Sequence, residues 1–480
     1  MTRRGARSSH STDFVTAIAA SIPRRRPDLP GGTAWAVTAG LGLAALLTIS
    51  PLTVVVAMLA IVTVAAARQG LPHDERRRLT TLLAVAMAAR VLVVLALFLV
   101  SMRSHSAQNA GILFGDETYS LGRSLRARDV LMGLPVGKFD YQTIFDSYAR
   151  TRYTSWLSWI QVAFGPSSYA VRLLNGVLFV GGAALLYRLA RRGFGVVPAF
   201  GALAVLLFLP SLFFWSISLL KESMYFLWTT IAIAGAALLA GDGAWRRRAA
   251  GALVLATSLW LLADLRPSAV ALTAGGLLLG LAARWVLASR RWTAAAAVAA
   301  IVIAVAVARV PSASARVMGG LTAAAKQHTG HVFTLGHAYK TLDDSLYAKV
   351  ETPTTSRLTL TPASAARYVG RSALSFLIVP LPWQVVTRSE LAFLPEQLLW
   401  YLLVVAATVG LRPAWRRDSL LLSLLVGYVL PLAAVLALIN GNVGTLVRLR
   451  GLDTPFLLWV AALGCTVMLQ RLVTGREATA

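Results

Sequence analysis

Two adjacent acids, Asp116 and Glu117, head the residues whose types suit chemistry. They lie in Gly115-Asp116-Glu117-Thr118-Tyr119, just after an apolar run from Leu82 to Val100 and at the start of a long polar stretch. Ionised groups beside a hydrocarbon core are costly and mark functional positions by default. A carboxylate so placed suits a general base acting on an acceptor hydroxyl. A pair can divide the work, one acid as base and the other orienting or binding. The plain alternative is a solvated loop that happens to carry two acids.

Four further groups follow. Lys221-Glu222-Ser223 lies in a short connection between apolar runs; the lysine reads either as a cap or as a cation for a lipid-linked phosphate, with Glu222 beside it as a second substrate contact. Asp264-Leu265-Arg266-Pro267 is another such connection, readable as an ion pair at a hairpin tip or as a binding group. Asn440-Gly441-Asn442-Val443-Gly444-Thr445 precedes Arg448, Arg450 and Asp453. Its glycines let backbone approach a ligand closely, and the arginines offer planar forks for phosphate. His328, His331 and His337 lie near Asp343-Asp344, but their spacing matches no closed zinc pattern. They are expected to be solvated, and no metal site is expected. Arg90 falls inside an apolar run, where it either snorkels or pairs with an acid within the bundle that the sequence does not name.

The elements that must position these groups are membrane helices. The 480 residues are 57% hydrophobic and 14% charged, against about 25% charged in soluble domains. Apolar runs long enough to span as helices recur, and alternating β-barrel patterning is missing. The expected fold is therefore an all-α polytopic membrane protein with about 12 spans: 34–49, 52–67, 80–100, 169–190, 196–214, 224–240, 249–263, 268–287, 293–309, 391–410, 419–439 and 455–472. Residues 1–33 form a basic cytoplasmic tail, 34–67 a membrane hairpin retained rather than cleaved, and 80–309 a core with a first outer loop at 101–153. A second outer segment, 310–387, ends in a re-entrant or interfacial piece at 371–387; spans fill 391–472, and 473–480 is a cytoplasmic tail. Residues 153–164 place Trp156, Trp159, Ile160, Ala163 and Phe164 on one helical face, as either an interfacial helix or a helix packed inside a folded outer domain does.

Charge orients the chain. With a cytoplasmic N-terminus, the arginine clusters at 76–78, 188–192, 246–248, 290–291 and 412–417 all fall inside, as the positive-inside rule demands. That accounts for a net charge of +26 without nucleic acid. Every chemically suggestive group then falls on the extracytoplasmic side. The single cysteine, Cys465, excludes an internal disulfide. No Walker-type or GxGxxG phosphate loop is present, so a nucleotide-driven pump or a nucleotide-sugar domain is not expected.

The acidic pair is followed by Phe164-Gly165-Pro166-Ser167-Ser168-Tyr169-Ala170-Val171-Arg172-Leu173-Leu174-Asn175, then the basic turn Arg191-Arg192-Gly193-Phe194-Gly195, then Pro210 at a span end. In this order, over residues 80–240, the chain resembles the multi-spanning glycosyltransferases of the C superfamily (GT-C), such as protein O-mannosyltransferases and aminoarabinose transferases. The hairpin 34–67 departs from the simplest family layout.

The resemblance implies transfer of a sugar from a polyprenyl-phosphate donor to a glycan, lipid or protein acceptor at the cell membrane, without a cofactor, metal dependence left open. It makes Asp116 the base in an inverting attack and gives Glu117 a supporting role. Lys221, Glu222, Arg266, Arg448 and Arg450 are the substrate-binding candidates. An arginine-centred oligosaccharide polymerase or ligase is the near alternative. A transporter or flippase is the distant one, disfavoured because charges gather at outer span ends rather than mid-span.

Overall fold

The computed structural model describes residues 40, 50–103, 113–145, 151–334, 336–347, 358–384 and 388–477. Its helices run α1 (Pro51–Arg68), α2 (His73–Arg103), α3 (Asp116–Leu131), α4 (Lys138–Phe145), α5 (Arg152–Phe164), α6 (Ser168–Phe194), α7 (Val196–Phe208), α8 (Pro210–Ser216), α9 (Glu222–Ala240) and α10 (Trp245–Leu265). They continue as α11 (Pro267–Leu287), α12 (Arg290–Arg309), α13 (Pro311–Val332), α14 (Asp344–Tyr347), α15 (Pro362–Ile378), α16 (Arg388–Arg417), α17 (Ser419–Ile439), α18 (Val443–Arg450) and α19 (Thr454–Glu477). Among the described residues there is no β-strand, only one bridge between Ala338 and Asn442.

Ten of these helices are long and apolar enough to cross a membrane, or eleven if α7 and α8, bent by 64° at their junction, are one broken span. The expected run 34–49 lies outside the described residues apart from Gly40. The expected span 196–214 is the broken α7–α8 pair: Leu209 leaves helical geometry and Pro210 starts α8.

Arg90 explains how the break is tolerated. Its guanidinium, 1% exposed, donates to the Leu207 carbonyl at 3.1 Å and to Ser216 Oγ at 2.8 Å. It also lies over the rings of Phe179 and Phe213. The partner of the mid-span arginine is thus the polar backbone freed by the bend, rather than an acid.

Small residues set the tightest seams, as expected where packing rather than water drives helix association. A Cβ on Gly280 of α11 would meet the Ser423 carbonyl oxygen of α17 at 2.1 Å, and one on Gly464 of α19 would meet the Ala406 oxygen of α16 at 1.8 Å. α6 lies at the centre, buried on most of its surface.

The arginine-rich ends of the spans gather at one end of the bundle. There Glu75 binds Arg191 and Tyr187, Arg188 donates to the carbonyls of Ala66, Ala67 and Gln69, and Arg417 donates to that of Phe194.

The opposite end carries both polar segments, and both are helical where described. The first contains α3, α4 and α5. In α5, Tyr153, Leu157 and Gln161 face inward, with Gln161 donating to Ser124 of α3 at 3.0 Å, and Trp159 stays 60% exposed. The second, expected as a long polar loop, is a module with its own core of Ala325, Leu342, Tyr347, Leu358, Leu360, Ala365 and Tyr368. The piece expected at 371–387 begins earlier, as α15, because Thr361 and Ser364 form a capping box before Pro362. Its buried positions Ala365, Tyr368, Ser372 and Phe376 line one helical face.

Candidate functional site

Asp116 occupies the first turn of α3, where the helix dipole favours an acid. Arg448 occupies the last turn of α18, which suits a cation for the same reason. The two are 332 residues apart in sequence, yet Arg448 Nη1 donates to Asp116 Oδ2 at 2.5 Å. Asp116 is 62% exposed and Arg448 29%, so the acid faces the open side and the cation lies deeper. The Arg448 Nε is buried without a partner, leaving a donor to spare.

Lys221 caps the N-terminus of α9, an unfavourable place for a cation. Its amine is pushed down to about 8, first by burial and then by Arg266, with Arg448 adding to the effect and Glu222 and Asp116 opposing it. Lys221, Arg266, Arg448 and Asp116 therefore form one cluster. The Asp116–Arg448 pair and Arg266 thus lie within electrostatic reach of Lys221, which brings cations together beside an exposed carboxylate.

The remaining predicted residues separate from this cluster. Glu117 lies beneath it and is 0% exposed. Both carboxylate oxygens are engaged by Arg172, at 2.8 and 2.9 Å, and Oε1 also accepts from the Leu219 N–H at 2.9 Å. This closed bidentate pair lies beneath the exposed Asp116, so the two adjacent acids occupy different environments. Glu222 is also buried, its Oε2 has no hydrogen-bond partner, and the residue lines a small crevice with Ser223, Tyr225 and Gly451.

Arg450 is two residues from Arg448 and so points to another side of α18. It donates to Gln397 and to the carbonyls of Ser375 and Phe376, and lies over Phe376 and Trp400. It ties α18 to α15 and α16 instead of joining the cluster, which corrects its expected place beside Arg448. Asp453, at the start of α19, is fully buried, and neither carboxylate oxygen has a hydrogen-bond partner. Burial pushes its carboxyl well above the ordinary range, towards the neutral acid.

The glycine-containing stretch at 440–445 forms a joint with the second polar segment. Gly441 accepts from the Tyr339 N–H at 2.9 Å, and Val443 N–H donates to His337 at 2.8 Å. A Cβ on Gly441 would meet the His328 carbonyl oxygen at 2.5 Å, so only glycine lets α13 approach. His328, expected to be solvated, is buried: Nε2 contacts Tyr347 Oη at 2.8 Å and Thr341 Oγ1 at 3.0 Å, and Nδ1 contacts the Asn440 carbonyl. Burial lowers its pKa to about 4. Asp343 is taken up by Arg367 and Arg371, and Asp344 by Lys340. Among the described residues no three His, Cys, Asp or Glu side chains gather as metal ligands.

A groove of about 730 Å³ runs between α3, α4, α5 and the tip of α10. Thr151, Ser155 and the Arg152–Asp264 ion pair, 3.0 Å apart, supply its polar side, and Leu131, Phe145 and Trp159 its apolar side.

Sequence reasoning did not single out Arg172 or Asn175 as functional. The available signal was a charged and an amide side chain three apart, on one face of an otherwise apolar helix. Compared with protein-family models, curated proteins and solved structures, the chain matches none.

Proposed function

We propose that this protein is a membrane glycosyltransferase that moves a sugar from a polyprenyl-phosphate donor to an acceptor hydroxyl on the extracytoplasmic face. The observation that carries the reading is the Asp116–Arg448 contact, with Lys221 and Arg266 around it. Transfer from a lipid phosphate needs a base for the incoming hydroxyl and cations for the leaving phosphate, both within one cavity. The basic opposite end supports a cytoplasmic assignment for that side, leaving the cluster outside.

In this mechanism the donor phosphate draws on the free Arg448 Nε, Lys221 and Arg266. The acceptor hydroxyl gives its proton to Asp116, and its oxygen attacks the anomeric carbon from the face opposite the phosphate. The anomeric carbon–phosphate oxygen bond breaks, the phosphate keeps the electron pair, and the three cations stabilise the added charge. The product is inverted at the anomeric carbon, and polyprenyl phosphate leaves. The groove beside α5, with polar and apolar sides, is assigned to the acceptor.

The test is donor binding. Polyprenyl phosphate should bind the detergent-purified protein, and Arg448→Ala and Lys221→Ala should each weaken it about tenfold or more, in line with about 1.5–3 kcal/mol for a charge-assisted bond. Unchanged binding in both variants sinks the assignment of the cations.

A further inference from the structure

Between α8 and α9 the chain leaves helical geometry over residues 217–221 while staying buried up to Leu220. Buried backbone without a helix must find other partners, and irregular backbone at membrane depth survives only inside protein. Here every carbonyl from 217 to 220 is met by a side chain. Arg172 donates to Ile217 at 3.1 Å, Asn175 to Ser218 at 2.7 Å and to Leu220 at 3.1 Å, and Tyr153 to Leu219 at 3.1 Å. Glu117 accepts from the Leu219 N–H, and Asn175 also donates to the Tyr153 hydroxyl at 3.3 Å.

A continuous helix would satisfy the same groups through its own backbone. The break instead needs four buried polar side chains from α3, α5 and α6. What it achieves is the placement of Lys221 directly after the broken segment, at the N-terminus of α9 and beside Arg448 and Asp116. The dipole of α9 disfavours a cation there, so the placement is not explained by helix stability.

We infer that Asn175, Arg172 and Tyr153 are positioning residues that hold segment 217–220 so that the Lys221 amine is presented to the Asp116–Arg448 pair. The use of that amine as a phosphate ligand rests on the function proposed above, but its placement does not. The charged groups facing Lys221 are Glu222 on α9, Arg266 before α11, Arg448 on α18 and Asp116 on α3. Releasing the segment moves the amine away from the two arginines and into water, and both changes raise its pKa towards the ordinary 10.5.

The experiment reads Lys221 alone and needs no substrate. The chain has five lysines, so reductive ¹³C-methylation gives a short set of NMR signals, with Lys221 assigned by its loss in Lys221→Arg. In the wild type this signal should titrate near 8. In Asn175→Ala it should move up by about 1 unit or more, and in Tyr153→Phe by less in the same direction. A folded Asn175→Ala with an unchanged Lys221 titration overturns the inference. If Asn175→Ala does not fold, Tyr153→Phe decides, and an unchanged titration there overturns it equally. Failure of sugar transfer in a separate assay would leave this result standing, so the two readings fall independently.

Discussion

Glu117→Gln separates two neighbouring acids that look alike in sequence. Glu117 and Arg172 are 0% and 2% exposed and meet through two hydrogen bonds. Glutamine keeps the shape, but it removes the counter-charge and turns an NH₂ towards a guanidinium donor. Breaking one side of a buried pair costs about 3–5 kcal/mol, because the remaining charge is left uncompensated. At 1.4 kcal/mol per factor of ten, that is a loss of about 10²- to 4 × 10³-fold in the folding equilibrium. Replacing both partners by methionine removes the orphan charge and leaves mainly the Leu219 N–H and Ile217 carbonyl unpaired, at about 1–3 kcal/mol each. The double variant should therefore be no less stable than the sum of the singles requires, with a coupling of about 1 kcal/mol or more in its favour. Cys465 is the only thiol and lies partly buried in α19, so a thiol-reactive dye reports thermal unfolding in detergent directly. Glu117→Gln should lower Tm by about 5 °C or more. A Glu117→Gln protein with wild-type Tm, or one that keeps its Tm and loses activity, would show that the carboxylate acts on substrate and not on Arg172.

Two other perturbations concern the module formed by the second polar segment. His328 has a folded pKa of about 4 against an ordinary 6.5. The unfolded chain thus binds the extra proton first, and the stability His328 contributes is complete above about 6.5 and lost as pH falls towards 4, by about 2–3 kcal/mol. Tm measured at pH 7.5 and 4.5 should fall more in the wild type than in His328→Asn; parallel falls refute the assignment. Gly441→Ala would drive a Cβ against the His328 carbonyl oxygen and should cost about 1–3 kcal/mol, seen as faster proteolysis of the 310–370 segment; wild-type resistance would show that the joint yields.

The membrane-helix architecture was legible because each span is a local property of some twenty apolar residues. The count shifted where one span broke at Leu209-Pro210, a bend made tolerable by Arg90, whose partners at the bend, Leu207 and Ser216, lie more than a hundred residues away. The cluster was legible by type: Asp116, Lys221, Arg266 and Arg448 were all named, because charge at span ends stands out against apolar sequence. Their division of labour was not. Asp116 and Glu117 are adjacent, and only helix phase sends one to the open side and the other onto Arg172. The same holds for Arg448 and Arg450. His328 read as solvated because its aromatic surroundings come from Tyr339, Tyr347 and Tyr368, separate stretches that meet only in the folded module.

Asp116 is the residue on which the proposed chemistry turns. The most direct measurement incubates the purified protein with labelled polyprenyl-phosphate sugars and a membrane acceptor extract, comparing wild type with Asp116→Asn. A positioned base contributes about 10²–10⁴-fold, so transfer should fall at least about a hundredfold while the protein stays folded and still binds polyprenyl phosphate. Transfer by Asp116→Asn at the wild-type rate would contradict the account.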